Sequence, residues 1–259
     1  MTRILVVVAV LSQAMATTCA TTPATTPPTT EERMVVLDDS LKLWANLMQD
    51  TAQTKEPLVV LLHMLGRNHE SYQPFIDALL RSAATDSLHR SLPTILNLDL
   101  RGHGRSGARG LSSLSYQSMA EAEFRKIPGD VKAMVEHLKL DTALKVDWDN
   151  ITVVGASIGA NSAALLSQMM PQVKRIVLLS PGLSYRSLEP LDAVRKFTGK
   201  ILIYASKGDE YSRKSSEELA EANKAHAVLR WFGANQHGTD IINEDRAAMD
   251  ELVRWVMSN

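Results

Sequence analysis

Hydrophobic and polar positions alternate in two different rhythms along the chain from residue 34 onward. Short, nearly continuous apolar runs are typical of strands that are buried on both faces of a parallel sheet. These runs are 58–62, 94–98, 151–154, 175–179, 200–205 and 227–232. Between them, apolar residues recur every three or four positions, which is typical of helices packed on a sheet. These segments are 70–84, 119–140, 158–170, 215–225 and 243–257.

Two more short strands, 34–37 and 41–47, flank Asp38-Asp39-Ser40 and predict an opening hairpin. Together with the other segments they predict an α/β fold, a mostly parallel sheet of about eight strands flanked by helices. No internal repeat is evident, and residues 34–259 are expected to form one domain.

The N-terminal segment has the pattern of an export signal. Arg3 precedes the apolar stretch 4–11, and Ala14-Met15-Ala16 is a small-x-small cleavage sequence. Because the apolar stretch is too short to cross a bilayer, residues 1–16 are interpreted as a cleaved signal peptide rather than a membrane anchor. The Thr- and Pro-rich residues 17–33 are predicted to be an extended tether. The protein is therefore expected to be exported, either periplasmic or secreted.

Cys19 is the only cysteine, so no disulfide within the chain is expected. A lipoprotein signal places a small residue before the lipidated cysteine, whereas Thr17 and Thr18 precede this one. Two interpretations stay open. Cys19 is either a lipidated residue that attaches the N-terminus peripherally to a membrane or an incidental thiol.

Charge excludes some partners. The formal net charge is -1 and like charges form no runs, so nothing indicates binding to nucleic acid. No cysteine cluster and no helical pair of histidines has the spacing of a zinc site, so neither a metal nor a cofactor is expected.

The most informative motif is Gly155-Ala156-Ser157-Ile158-Gly159, which joins the predicted strand 151–154 to the predicted helix 158–170. Strand, sharp turn and helix in this order form a nucleophile elbow, in which side chains at positions 155 and 159 would collide with the neighbouring strand and helix. Ser157 is therefore the candidate nucleophile, and a structural turn serine is the weaker interpretation.

A serine hydroxyl needs a base and a group that orients the base. Asp209 lies in the loop after strand 200–205, and His237 lies in the loop after strand 227–232. The carboxyl ends of parallel strands meet at one edge of a sheet, so Ser157, Asp209 and His237 are expected to form a catalytic triad. Glu210 and Asp240 remain alternatives for the acid.

An oxyanion hole requires two N–H groups aimed at the reacting carbonyl oxygen. Ile158, directly after the nucleophile, supplies one. The second is expected from the loop after strand 58–62, with Leu65 as the first choice and Met64 as the second.

With these residues in place, the chain resembles the serine α/β-hydrolase superfamily over nearly all of residues 34–259. Residues 99–106, Asp-Leu-Arg-Gly-His-Gly-Arg-Ser, look like the family's Asp-x-Arg-Gly-His-Gly-x-Ser turn, whose histidine is structural. Residues 63–66, His-Met-Leu-Gly, look like the His-Gly-x-Gly oxyanion loop, with Met64 in place of the usual glycine.

Residues 155–161 and 179–185 are most similar to small bacterial hydrolases related to dienelactone hydrolases and lysophospholipase-type esterases. Ser157, where some relatives carry aspartate or cysteine, implies cleavage of carboxylic esters, with lysophospholipids and thioesters among the candidate substrates. A peptidase or acyltransferase with the same triad, and a non-catalytic binding protein on a hydrolase scaffold, are the alternatives.

Only about twenty residues, 180–199, separate the strand 175–179 from the acid-bearing strand, which is too few for a lid domain. An open site is expected. Segment 108–129, with Tyr116, Met119 and Phe124, is expected to form its remaining wall together with Tyr185 and Tyr211, and these aromatic residues are interpreted as packing residues.

Overall fold

The computed structural model describes residues 28–50, 54–85 and 91–258. The predicted signal peptide, Cys19 and most of the predicted tether lie outside the described residues. The strands are β1 (Thr29–Val36), β2 (Lys42–Gln49), β3 (Glu56–Leu62), β4 (Thr94–Leu98), β5 (Ala108–Arg109), β6 (Ser112–Ser113), β7 (Val146–Ala156), β8 (Val173–Leu179), β9 (Lys200–Ala205) and β10 (Ala227–Trp231). The helices are α1 (Gln73–Thr85), α2 (Glu121–Phe124), α3 (Ile127–Leu138), α4 (Ile158–Met169), α5 (Leu191–Lys196), α6 (Glu210–Ala222), α7 (Thr239–Glu244) and α8 (Arg246–Met257), with a 3₁₀ turn at His69–Tyr72.

Eight of the strands form one sheet in the order β1-β2-β4-β3-β7-β8-β9-β10, and β5 and β6 form a separate small hairpin. Strand β2 is antiparallel to both β1 and β4, whereas every other neighbouring pair in the large sheet is parallel. The predicted fold class is confirmed. No lid domain lies between β8 and β9, where α5 is the one helix.

The core lies on both faces of the sheet because side chains along a strand point alternately to opposite faces. In β3, Leu58, Val60 and Leu62 belong to one hydrophobic cluster, and Val59 and Leu61 belong to the other. Helices α2 to α6 contribute to the first cluster, and α1, α7 and α8 contribute to the second. The continuous apolar run of β3 is thus the consequence of burial on both faces.

The start of the folded domain differs from its prediction. Strand β1 begins at Thr29, so residues 29–33, assigned above to the tether, pair with β2. Residues 29–32 are exposed and include Glu31 and Glu32, and Arg33 is half-buried. An edge strand of this kind is held by its backbone hydrogen bonds, so hydrophobic patterning does not reveal it.

Two predicted helices are each divided in two. The predicted helix 119–140 consists of α2 and α3, and Pro128 in the first turn of α3 marks the new start. The C-terminal helix is preceded by α7, and Asp245 caps α8 by accepting hydrogen bonds from the N–H groups of Ala247 and Ala248. Helix α6 begins at Glu210, earlier than predicted, because Asp209 caps it.

Within residues 28–50, 54–85 and 91–258, no helix combines the length and the apolar character that a membrane span requires.

Candidate active site

Ser157 lies at the sharp junction between β7 and α4. Its backbone has a φ of 53°, a left-handed conformation that is strained for a residue with a side chain. The N–H of Ser157 donates to the carbonyl oxygen of Leu179 at 2.8 Å, and its own carbonyl accepts from the N–H groups of Ala160 and Asn161. These bonds hold the strained turn and place Ser157 at the N-terminus of α4, where the helix dipole favours negative charge.

The two glycines of the elbow are needed for close packing. A Cβ atom on Gly155 would overlap the carbonyl oxygen of Gly159 and lie 2.7 Å from the nitrogen of Ala160. A Cβ on Gly159 would overlap the carbonyl oxygen of Leu62 and lie 2.7 Å from that of His63. Side chains at positions 155 and 159 would therefore collide with the neighbouring backbone, as predicted from the Gly-x-Ser-x-Gly spacing.

Asp209 and His237 are brought together from loops that lie far apart in the sequence. The Nδ1 atom of His237 is 2.5 Å from Oδ2 of Asp209. The two alternative acids are engaged elsewhere, because Glu210 pairs with Lys214 at 2.6 Å and Asp240 lies 3.7 Å from Arg67. Asp209 is thus the acid in position to orient His237.

The loop that carries His237 is fastened by residues that the sequence did not single out. The N–H of Gly238 donates to Oγ of the buried Ser180 at 2.9 Å, and the hydroxyl of Ser206 donates to the carbonyl oxygen of Gln236. Serine is common in loops, so no local signal identifies Ser180 or Ser206. These two hydrogen bonds fix the position of the His237 loop relative to the sheet.

The loop at residues 63–66, predicted to supply an oxyanion donor, has a defined peptide orientation. The carbonyl oxygen of Met64 accepts hydrogen bonds from Nδ1 of His63 at 2.8 Å and from the N–H of Arg67 at 3.2 Å. Because the peptide group is planar and trans, the N–H of Leu65 points the opposite way. In the described part of the chain neither this N–H nor that of Ile158 has a hydrogen-bond acceptor.

Met64 stands where the family usually has a glycine, but its backbone does not adopt the positive φ that glycine allows. The positive φ in this loop belongs to Gly66, at 75°, and Met64 is not among the residues with positive φ. The Met64 side chain is buried, and a Cβ on Gly238 would lie 2.6 Å from its sulfur atom. Met64 thus packs against the residue that follows His237.

Two hydrogen bonds hold the His63 ring in a single tautomer. Its Nδ1 donates to Met64, and its Nε2 accepts from the N–H of Leu100 at 2.9 Å, so the ring is neutral. Complete burial, and secondarily the neighbouring His103, lowers the pKa of His63 to about 3. His103 stacks on Tyr116 with ring centroids 4.5 Å apart and donates to the carbonyl oxygen of Arg101, in keeping with its expected structural role.

One cavity joins these parts. It has a volume of about 300 Å³ and is lined by Met64, Leu65, Ser157, Ile158, Ser184, Tyr185, Arg186 and His237. No direct hydrogen bond joins Ser157 to His237 among the described residues. Such bonds are commonly long in unliganded enzymes and tighten when substrate binds. The structure thus gathers five of the six predicted site residues around one space, with Asp209 behind His237; their catalytic roles stay predictions.

Tyr185 lines the cavity, as the predicted wall requires, and its interpretation as a packing residue stays a prediction. Tyr185 and Ser157 line the same space. The Tyr185 ring is edge-on to that of His237, with centroids 6.2 Å apart, and edge-on to Tyr211 at 5.2 Å. Burial, and then the negative charge of Asp209, raises the pKa of the Tyr185 phenol, so it remains a protonated donor at neutral pH.

The predicted wall is only partly in place. Tyr116, Met119 and Phe124 do not line the cavity; the last two belong to the hydrophobic core.

In the described ranges no three His, Cys, Asp or Glu side chains are grouped closely enough to hold a metal ion.

Comparison with solved structures gives the fold. An esterase of Pyrococcus furiosus has a TM-score of 0.67 at 17% identity, over 88% of this chain and 90% of that chain. A Pyrobaculum calidifontis esterase has a TM-score of 0.63 at 17% identity, over 89% and 85%. EstE1, a thermophilic carboxylesterase from a metagenomic library, has a TM-score of 0.66 at 18% identity, over 89% and 88%. At these identities the likeness concerns the fold alone.

Comparison of sequences gives the family. No curated protein is significantly similar to the chain in sequence. The model of the family described as serine aminopeptidase, S33, matches residues 53–230, which is more than half of the chain and includes β3 to β10 almost completely. Together with the eight-stranded sheet and the elbow at Ser157, this match means that the chain belongs to the serine aminopeptidase S33 family of α/β hydrolases.

Proposed function

We propose that this hydrolase cleaves carboxylic esters through an acyl-enzyme formed on Ser157. The observation that supports the proposal most directly is the His237–Asp209 pair, at 2.5 Å, beside a cavity that also contains Ser157. A histidine whose Nδ1 donates to a carboxylate presents Nε2 as a base, which is what a serine nucleophile needs.

In the first half of the proposed reaction, Nε2 of His237 takes the Ser157 proton as Oγ attacks the ester carbonyl. Asp209 holds the imidazole in the required tautomer and stabilises the imidazolium. The negative charge on the tetrahedral oxygen is received by the N–H groups of Ile158 and Leu65. His237 then returns the proton to the departing alcohol. In the second half, water attacks the acyl-enzyme with the same base, and Ser157 is regenerated.

The size and lining of the cavity favour small substrates. Its volume of about 300 Å³ is at the lower end of the range for ligand pockets. Met64, Leu65 and Ile158 supply an apolar surface for an acyl chain. We therefore expect short acyl chains to be cleaved faster than long ones.

The family description favours aminopeptidase activity as the second candidate. Such an enzyme must recognise a protonated amino terminus, and a nearby carboxylate is the group that would pair with it. The cavity lining in the described residues contains no Asp or Glu and does contain Arg186. The charge of the cavity therefore favours the ester over the peptide substrate.

The test is labelling of the folded protein with a fluorophosphonate probe, followed by assays with 4-nitrophenyl esters and aminoacyl 4-nitroanilides. Wild type and Ser167→Ala should be labelled, because Ser167 is elsewhere on α4 and its hydroxyl bonds to the carbonyl of Ala164. Ser157→Ala should not be labelled. Faster cleavage of anilides than of esters would favour the peptidase, and absence of labelling in folded wild type would favour a non-catalytic scaffold.

We further propose that the protein is exported, on the support of the signal-like residues 1–16. Sequencing the N-terminus of protein recovered from the periplasm and medium tests this. Membrane association that is lost in Cys19→Ser would indicate lipidation at that residue.

A further inference from the structure

A strained turn enters the catalytic cavity from the loop after β8. Tyr185 and Leu188 form a two-residue hairpin, in which the N–H of Leu188 donates to the carbonyl of Tyr185 at 2.8 Å and the reverse bond measures 3.2 Å. The two central residues, Arg186 and Ser187, have φ values of 51° and 63°. Turns with this backbone usually carry Asn-Gly, so two other residues with side chains here are strained.

The surroundings hold this turn in place. The side chain of the fully buried Asn161 donates to the carbonyl of Leu188 at 2.7 Å and accepts from the N–H of Gly182 at 3.0 Å. The hydroxyl of Tyr211 bonds both the N–H and the carbonyl of Ser184, each at 2.9 Å. A strained backbone that is held on both sides is characteristic of functional positions.

Helix α2 supports the tip of the turn from outside. The hydroxyl of Ser187 donates to Glu121 at 2.5 Å, and the guanidinium of Arg186 lies over the ring of Phe124 at 5.5 Å. Among the described residues, no carboxylate lies within 4 Å of the Arg186 guanidinium. Arg186 is exposed and lines the cavity, so this wall carries a cation with no counter-charge among the described residues.

We propose that Arg186 binds an anionic group on the substrate, so that the preferred esters carry a carboxylate or phosphate close to the scissile bond. This inference rests on the proposed ester hydrolysis. A guanidinium presents a planar fork of donors that matches two oxygens of such a group. The aromatic ring of Phe124, behind the cavity wall, contacts the guanidinium without neutralising its charge. The anion belongs either to the acyl part, as in a half-ester of a dicarboxylic acid, or to the alcohol, as in a phosphorylated alcohol.

Two matched substrate pairs distinguish these sources. One pair is 4-nitrophenyl hemiglutarate and 4-nitrophenyl hexanoate, and the other is 4-(butanoyloxy)phenyl phosphate and 4-methoxyphenyl butanoate. The readout is the ratio of kcat/KM for the anionic ester to that for the neutral ester. In Arg186→Gln this ratio should fall about 10- to 100-fold for at least one pair, as expected for loss of a charge-assisted hydrogen bond.

Two further variants separate recognition from general effects. Arg186→Lys keeps the charge and should retain most of the preference. Arg246→Gln removes an exposed arginine of α8 and should leave the ratio at the wild-type value. Added salt should reduce the ratio in wild type more than in Arg186→Gln, because screening acts on the charge interaction.

Equal ratios for wild type and Arg186→Gln in both pairs would overturn the inference. That result is distinguishable from failure of the proposed function, since the neutral esters report ester hydrolysis by themselves. If wild type cleaves none of the four esters and Ser157 is not labelled by fluorophosphonate, the proposed function and this inference are both overturned.

Discussion

One carboxylate performs two tasks in this protein: Oδ2 of Asp209 lies 2.5 Å from Nδ1 of His237, and its Oδ1 accepts a hydrogen bond from the N–H of Ser212 at 3.3 Å. Asp209 is the N-cap of α6, so the start of the helix and the orientation of the histidine depend on the same side chain. The acid is thereby held by the fold before any substrate arrives.

Replacing Asp209 by Asn separates these two tasks. Asn caps helices about as well as Asp, so the melting temperature should stay close to that of wild type. Without the carboxylate the useful tautomer of His237 is no longer favoured, and kcat for an ester should fall roughly 10⁴-fold. Steady-state kinetics and thermal denaturation check both parts. Asp240→Asn is the matched control, and a larger loss of kcat in that variant would mean that Asp240 is the orienting acid.

Tyr185→Phe tests the phenol that lines the cavity together with Ser157. The ring and its contacts with His237 and Tyr211 are kept, so the fold should be unaffected. Removing a hydroxyl that donates one neutral hydrogen bond to Ser157 or to the bound ester should reduce kcat/KM by roughly 2- to 10-fold. Tyr204→Phe removes a different hydroxyl, which bonds Glu251 away from the cavity, and should leave kcat/KM unchanged. Unaltered kinetics in Tyr185→Phe would mean that this residue only packs.

Gly159→Ala tests the close approach of α4 to β3. Alanine normally stabilises a helix relative to glycine by roughly 1 kcal/mol. Here the new Cβ would overlap the backbone of Leu62, so the free energy of unfolding should fall by about 1–3 kcal/mol instead. Gly129→Ala on α3, where a Cβ would meet nothing within 4 Å, should be stabilising. Chemical denaturation measures both variants, and equal stabilisation of the two would contradict the packing described here.

His63 makes the stability of the fold depend on pH. Its folded pKa is about 3, below its ordinary value of 6.5, because burial disfavours the charged form. Between these two values the unfolded chain binds a proton that the folded chain excludes, so stability is lost as the pH falls through this window. The slope from this group is at most about 1.4 kcal/mol per pH unit.

Denaturation at several pH values between 7 and 4 measures that slope. Carboxylates also titrate there, so the informative quantity is the difference between wild type and His63→Gln, which should lose part of the slope. His226→Gln removes an exposed histidine and serves as the control. An identical slope in wild type and His63→Gln would mean that His63 is not the responsible group.

The sheet and the helices follow from local patterns that can be read without the structure. Strands β3, β4 and β8 are recognisable because burial on both faces demands continuous apolar residues. Of strand β1, residues 34–36 are recognisable and residues 29–33 are not, because an exposed edge strand is held by backbone hydrogen bonds that any residue can form. Helix boundaries such as the break before Ile127 depend on single capping or proline residues within one periodic segment.

The sequence by itself determined the α/β class, the elbow around Ser157 and the candidates His237 and Asp209, because strand periodicity, glycine spacing and chain order are local properties. The tertiary structure decided which acid faces His237, how the Met64 carbonyl is turned, and that Arg186 lines the cavity beside Tyr185. The physical reason is that these outcomes depend on contacts between loops far apart in the chain, as when Ser180 fastens the loop of His237 or Asn161 holds the turn at Arg186. No local pattern encodes such contacts.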